Sequence, residues 1–306
     1  MKVFKVTPRG YCKGVINALN IAKECAQNYK GQKIYILGMI VHNQFIVDAL
    51  NSLGITTIDE KGKSRLELLD SIDEGIVIIT AHGTSEDVFR KAENKGLTVV
   101  DATCKDVIKT HELIKDCIKK QKEVLYIGKK GHPESDGSVS ISDHVHLIEK
   151  KEDFLNYRDT KNYVITNQTT MSLYDVKELC EYAKEVIEKV EILPETCNAT
   201  TIRQSAMEKL PEEVDLLYVV GDPRSNNSNK LREIALKMHP IEAKMIESIQ
   251  DITIDDLKDK KCVAVTSGAS TPTYLTNQVI EYLTQFNYED PSTYPVPEID
   301  NTKILK

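Results

Sequence analysis

The 306-residue chain has no run of about 18 apolar residues, so no membrane-spanning helix is expected. It has no excess of basic residues: Lys+Arg 40 against Asp+Glu 47 gives a net charge of −7. A dedicated nucleic-acid binder usually carries a basic face, so the balance argues against that class, while it allows a local basic pocket for a small anion. There is no CxxC pair among the seven cysteines, which removes a zinc ribbon and a thioredoxin motif. Nor are the cysteines dense enough for a secreted disulfide scaffold; widely spaced thiols in a long chain point to a reducing cytoplasm. The opening MKVFKVTPRGYCKG reads as a strand and a turn rather than a signal peptide. With 41% hydrophobic and 28% charged residues the chain is neither disordered nor fibrous, and its length suggests two or three domains.

What is present is a threefold repeat. Cys12, Cys104 and Cys197 lie 92 and 93 residues apart, and each follows a β-like run and precedes a helix-like run. The three segments read VFKVTPRGYCKGVINALNIAKECA, LTVVDATCKDVIKTHELIKDCIKK and VEILPETCNATTIRQSAMEKL. Val107, Ile114, Cys117 and Ile118 share one helical face. Cys25 and Cys117, each 13 residues past the first cysteine of its unit, are expected in the core. Each unit then supplies a second strand ending in Gly38, Gly128 or Gly221, with His42, His132 or Ser225 four residues on. A third strand follows in GIVIITAHGTS, NYVITNQTTMS and CVAVTSGASTP.

Strands alternating with helices predict parallel sheets with right-handed connections. Ligands bind beyond the carboxyl ends of such strands. The expected fold is therefore α/β, with three similar parallel-sheet domains in pseudo-threefold arrangement around one central cavity. The expected divisions are residues 1–103, with the N-terminal strand and the Cys12 turn included, then 104–196 and 197–281. Residues 282–306, with Pro291, Pro295 and Pro297, are expected to form an extended tail.

Three cysteines at strand-to-helix turns can meet on such an axis. Helix N-termini favour thiolates, and three thiolates together demand a cation. Zinc and an iron–sulfur cluster both qualify, and three protein ligands leave a fourth position open for a substrate atom. The other turns carry His42-Asn43, His82-Gly83, His132, Thr169-Thr170, Ser225-Asn226-Asn227 and Ser270. Imidazole, hydroxyl, amide and backbone N–H groups at helix starts make a phosphate cradle. A compact phosphate or diphosphate ligand is expected. Glu134, beside His132, is the carboxylate immediately within the second- and third-turn motifs. In a closed, partly dry cavity its pKa rises and it delivers a proton. Asp222, ahead of Pro223, is read as shaping its loop, and His111, His144, His146 and His239 receive no role.

The set YCKGV, VHNQ, TAHGTS, DATC, GHPE, NQTT, the third-unit Cys197 with NAT and RQ, and SNNS resembles the LytB/IspH-type 4-hydroxy-3-methylbut-2-enyl diphosphate reductase family, in order and spacing, from Met1 to about residue 281. The resemblance implies three α/β domains around a central iron–sulfur cluster. It implies an iron–sulfur oxidoreductase of the last step of the non-mevalonate isoprenoid pathway. That reaction removes the allylic hydroxyl with two electrons and protons, giving isopentenyl and dimethylallyl diphosphate. On this resemblance Cys12, Cys104 and Cys197 hold a 4Fe-4S cluster with one iron not ligated by cysteine. His42, His82, Ser225, Asn227 and Ser270 hold the diphosphate, with Asn226 standing where the family often has another Ser. His132 and Thr170 are counted with the substrate-binding set. His132 and Glu134 form the proton-delivery pair, and Thr169 binds near the hydroxyl and relays to Glu134. The open iron is expected to act as a Lewis acid on the hydroxyl oxygen while Glu134 supplies the proton that turns it into water.

The partners so implied are the allylic diphosphate and a ferredoxin or flavodoxin donor, with no nucleic acid and no membrane. A cytoplasmic monomer is expected. Two segments depart from the family pattern: Lys105-Asp106 follows DATC, where Pro and an apolar residue are common, and SDGSVS follows GHPE, where Val-Glu-Gly is common. Both flank the named ligands without removing one. The rival readings are a quinolinate synthase-like iron–sulfur dehydratase and a non-catalytic iron–sulfur sensor or carrier; GHPE and NQTT favour the reductase.

Overall fold

The structure, a computed structural model, describes residues 1–158 and 161–306. Twelve strands form among the described residues: β1 (Lys2–Lys5), β2 (Ile34–Leu37), β3 (Ile55–Ile58), β4 (Ile76–Ile79), β5 (Thr98–Asp101), β6 (Glu123–Ile127), β7 (Val145–Ile148), β8 (Tyr163–Asn167), β9 (Val190–Ile192), β10 (Leu216–Val220), β11 (Glu242–Ile246) and β12 (Cys262–Ser267). They make three four-stranded sheets, ordered β3-β2-β4-β5, β7-β6-β8-β9 and β11-β10-β12-β1. Every neighbouring pair is parallel. The order is the same three times over, as the repeat predicts.

Two compact units hold these sheets. One comprises Met1–Val15, His42–Ala49 and Asn198–Lys306 and contains β11-β10-β12-β1; the other comprises Ile16–Val41 and Leu50–Cys197 and contains the remaining two sheets.

The central strands explain themselves. β4 (IVII), β6 (EVLYI), β8 (YVITN), β10 (LLYVV) and β12 (CVAVTS) are buried along their whole length. That is the pattern of a parallel sheet covered on both faces. Val124, Tyr126 and Val164 pack on one face against Ile114 and Cys117, while Leu125, Ile127 and Ile165 pack on the other against Phe154 and Leu179. The helix Lys105–Lys119 buries Val107, Thr110, Ile114 and Cys117 at three- and four-residue spacing, with Ile118 partly buried beside them. Each buried aliphatic side chain contributes roughly 1.5–3 kcal/mol. Cys25 and Cys117 are both core residues, each 5% exposed.

β1, β5 and β9, which lead into the three repeat cysteines, are edge strands with exposed positions. Here the chain differs from the divisions drawn along the sequence. The N-terminal strand, counted with residues 1–103, pairs instead with β12, from Lys2 opposite Cys262 to Lys5 opposite Val265. Each cysteine-bearing edge strand joins the third strand of the repeat before it. For Cys12 that partner lies near the other end of the chain. At that end the helix Thr273–Gln285 runs beyond residue 281, and the segment after it makes short turns at Pro291–Thr293 and Asn301–Lys303.

In each sheet the two inner strands lead to opposite edges: β2 to β3 and β4 to β5, for example. The crevice beyond such a pair is where α/β sheets bind ligands. The polar turns picked out in the sequence follow these inner strands. Among the described residues no helix is long and apolar enough to cross a membrane.

Candidate active site

One rule of backbone bonding positions all three repeat cysteines. The Cys12 N–H donates to the Ala269 carbonyl at 3.1 Å, Cys104 to Ala81 at 3.0 Å, and Cys197 to Thr169 at 3.1 Å. Each acceptor lies two residues past the end of the neighbouring strand, β12, β4 or β8. Two residues before each cysteine a second bond repeats: Gly10 N–H to Ser267 Oγ at 2.7 Å, Ala102 N–H to the Ile79 carbonyl at 3.0 Å, and Glu195 N–H to Asn167 Oδ1 at 3.0 Å. The strand ends thus set the cysteine loops. Gly10 sits at φ +74°, where a Cβ would run into the Thr273 side chain, and Arg203 Nη2 holds its carbonyl at 2.7 Å.

The three thiols are half-buried. Cys104 caps the helix Lys105–Lys119 without using its side chain as the cap acceptor. Lys105 and Asp106, the departure from the family pattern, are exposed on that helix's first turn, with Asp106 Oδ2 4.0 Å from Cys104 Sγ. Iron–sulfur clusters take cysteine thiolates as ligands. Half-buried thiols presented at strand-to-helix turns fit such a group.

In the unit with two sheets, Glu134 and Thr169 meet. Glu134 is 2% exposed on the short helix Pro133–Val139 after β6. Thr169 follows β8 and gives its N–H to Glu134 Oε1 at 2.7 Å and its hydroxyl to Oε2 at 3.1 Å. Burial disfavours the charged form and outweighs those two bonds, so the Glu134 pKa is pushed up to about 7. His132 caps the same helix: its Nδ1 accepts from the Glu134 N–H at 3.2 Å. An imidazole nitrogen that accepts carries no proton, so the neutral ring holds its proton on Nε2. The His82 ring stands edge-on to His132 with centroids 5.3 Å apart. Gln168 ties the two turns together, accepting from Lys129 N–H at 3.2 Å and Ser135 Oγ at 3.1 Å and donating to Thr170 Oγ1 at 3.0 Å. Gly137 allows close approach: a Cβ there would lie 3.2 Å from the Thr84 carbonyl carbon.

In the other unit the serines and amides converge. Ser225 caps the helix Asn226–Met238, its Oγ accepting from the Ser228 N–H at 3.3 Å. Ser270 Oγ lies 3.4 Å from Ser225 Oγ and 3.4 Å from the His42 carbonyl. Asn227 accepts from the Ala269 N–H at 3.1 Å and donates to Thr200 Oγ1 at 3.3 Å. Asn226 is the first, half-buried residue of the helix. Asp222 takes the role read for it. Its carboxylate binds Arg224 Nη2 at 2.7 Å and its carbonyl accepts the Ser225 N–H at 2.9 Å. Burial alone would raise its pKa, but the Arg224 bonds and the His42 charge leave it lowered.

The sequence reading did not single out Gln168, Asn167, Arg203 or Arg65. The first three lie inside or beside quoted motifs, NQTT and RQ, so the signal was present. Arg65 had none. Its guanidinium grips both ends of the turn that carries His82, bonding the Gly83 carbonyl and, at 2.6 Å, Thr80 Oγ1. The capping box of Ser64 and Glu67 fixes the short helix it starts from.

Three identically ordered parallel sheets, thiols in the turns that follow their edge strands and a buried carboxyl beside an imidazole are the frame of an α/β enzyme. The model of the LytB protein family matches residues 3–284, and the chain belongs to the LytB family. The 4-hydroxy-3-methylbut-2-enyl diphosphate reductase of Brevibacillus brevis is 49% identical over 310 residues, covering 100% of this chain and 99% of that protein. The reductase of the same name from Bacillus subtilis is 47% identical over 297 residues, covering 96% of this chain and 94% of that protein. The solved structure of the E-1-hydroxy-2-methyl-but-2-enyl-4-diphosphate reductase from Plasmodium falciparum aligns with a TM-score of 0.86 at 30% identity, covering 98% of this chain and 95% of that one.

Proposed function

We propose that this chain is a 4-hydroxy-3-methylbut-2-enyl diphosphate reductase, acting at the last step of the non-mevalonate pathway. The observation that carries this reading is Glu134: a buried carboxyl with a pKa of about 7, doubly held by Thr169. A protein that only carries or senses a cluster has no use for a proton donor there. The reaction replaces a C–OH bond with C–H, consumes two electrons and two protons, and releases water.

Cys12, Cys104 and Cys197 are the residues that would hold an iron–sulfur cluster, a 4Fe-4S cluster with one iron free of cysteine. When bound, that group supplies the electrons and a Lewis acid for the allylic oxygen. The rest is protein chemistry. Ser225, Asn226, Asn227, Ser270, His42, His82, His132 and Thr170 bind and orient the diphosphate end through hydroxyl, amide and imidazole groups. His132 contributes its Nε2–H as a donor.

Glu134 holds the proton. Its Oε1 is occupied as acceptor by the Thr169 N–H, so in the neutral acid the proton resides on Oε2. The partner of Oε2 is the Thr169 hydroxyl. With Glu134 neutral the hydroxyl accepts there and has its own hydrogen to donate onward. Thr169 is thereby the relay between the acid and the leaving hydroxyl, which departs as water. The reading includes a monomer in the cytoplasm that takes electrons one at a time from a ferredoxin or flavodoxin.

The test is turnover. Cluster-loaded protein is mixed anaerobically with a reduced viologen, with and without the allylic diphosphate. Substrate-dependent dye oxidation is expected, with both five-carbon diphosphates as products. Absence of oxidation in protein of verified iron and sulfide content rejects the reading.

A further inference from the structure

The segment after the helix Thr273–Gln285 takes no part in the reading above, and residues 285–306 lie outside the residues matched by the family's model. It is nonetheless built into its unit. Tyr282 Oη donates to the Tyr294 carbonyl at 3.0 Å, and the Tyr294 ring stacks on Phe286 with centroids 5.4 Å apart. Gln278 Nε2 donates to the Glu298 carbonyl at 2.8 Å, and Tyr274 Oη accepts the Asp300 N–H at 3.0 Å. The Lys303 ammonium lies 5.3 Å from the centre of the Tyr274 ring. The run ends at Ile304, which is 0% exposed and follows the exposed residues Asn301, Thr302 and Lys303. The backbone carbonyl of Ile304 accepts the hydroxyl of Tyr11 at 2.6 Å. Tyr11 is the residue immediately before Cys12.

We propose that the C-terminal segment is a latch on the Cys12 loop, with Ile304 as its buried anchor and Tyr11 as the positioning residue through which it acts. The loop is held on one side by Ser267, Ala269 and Arg203. The Tyr11 hydroxyl ties it to a separate element at residue 304. The Cys12 loop follows the four-residue edge strand β1. That the latch serves cluster retention rests on the function proposed above; that it restrains Cys12 does not.

The test compares the full chain with Tyr11→Phe and with a chain ending at Glu298. Alkylation of each cysteine by iodoacetamide is followed by mass spectrometry in the folded, cluster-free protein. The expected result is Cys12 labelling faster by about tenfold in both variants, the scale set by losing one partly buried hydrogen bond. Cys104 and Cys197 serve as internal controls and should label at the wild-type rate. Combining the two changes should add nothing to the truncation alone. Wild-type labelling of Cys12 in the truncated chain overturns the proposal, as does a parallel rise at all three cysteines, which reports general loosening. In cluster-loaded protein, iron loss to a chelator should accelerate in the same variants. If no preparation holds iron, the functional reading fails while the alkylation result still decides on the latch.

Discussion

Thr169 holds both carboxylate oxygens of Glu134, one through its backbone N–H at 2.7 Å and the other through its hydroxyl at 3.1 Å. The backbone bond fixes where the carboxyl points, and in the proposed mechanism the hydroxyl bond gives its proton a way out. Burial keeps the group protonated up to about pH 7 in spite of both bonds. The proposed proton donation therefore has a definite pH range and definite genetic tests.

Glu134→Gln keeps the size and the hydrogen bonds of the side chain and removes the acid. Turnover should fall about 10²-fold or more, with iron, sulfide and diphosphate binding retained. Dye-linked turnover together with inorganic pyrophosphate titration checks both halves. Turnover at the wild-type rate removes Glu134 from the mechanism.

The pH profile follows from the raised pKa. Above about 7 the acid ionises, and the rate should drop toward tenfold per pH unit. The same shift has a stability consequence. The Glu134 contribution is fully present below its unfolded value of 4.5 and is lost as pH rises through about 7. Glu134→Gln should flatten that dependence in denaturant titrations run from pH 5 to 8.

Thr169→Ala removes the hydroxyl bond and leaves the N–H bond. Both Thr169 bonds favour the carboxylate form, so losing one raises the Glu134 pKa further. The alkaline limb of the rate profile should move to higher pH while the maximal rate falls about tenfold through loss of the relay. A limb that moves to lower pH contradicts the assignment.

Cys104→Ser keeps the backbone bond to Ala81 and the helix it caps. The variant should melt as the cluster-free wild type does, yet fail to take up a full complement of iron and sulfide. Wild-type iron and sulfide content would refute the ligand assignment.

Glu123 offers a test away from the site. It is 8% exposed at the start of β6 and meets His146 Nε2 at 2.8 Å, Lys161 Nζ at 3.0 Å and His144 Nδ1 at 3.2 Å. Burial pushes its pKa up, but those three partners outweigh it and hold the carboxyl down at about 2. Its stabilisation is present above 4.5 and lost as pH falls toward 2. Glu123→Gln should cost about 1–3 kcal/mol at pH 7, through the loss of hydrogen bonds to a charged acceptor, and less at pH 3, where part of that stabilisation has already gone. Urea melts at the two pH values read this directly.

Much of the fold was legible because its signals are local. Apolar strands, polar turns and helical faces such as Val107-Ile114-Cys117 are written in short windows, and they recur at 92 and 93 residues. The membership of β1 was not legible, because pairing with β12 is a contact across the length of the chain. Glu134, Thr169, Ser225 and Asn227 were visible as uncommon polar residues in repeated turns. Gln168 and Arg203 lay in plain sight within motifs, but their work is to hold other loops, and hydrogen-bond partners are not spelled out in a sequence. Arg65 and Ile304 carry no motif at all. One is an arginine among surface charges and the other one of several scattered apolar residues in the tail, and only folding gives them their partners.

The most direct measurement is anaerobic oxidation of reduced viologen by cluster-loaded protein, with and without 4-hydroxy-3-methylbut-2-enyl diphosphate. The account predicts oxidation that depends on the substrate, yields both five-carbon diphosphates and is lost in Glu134→Gln. Cluster-loaded protein that oxidises no dye in the presence of the diphosphate would contradict it.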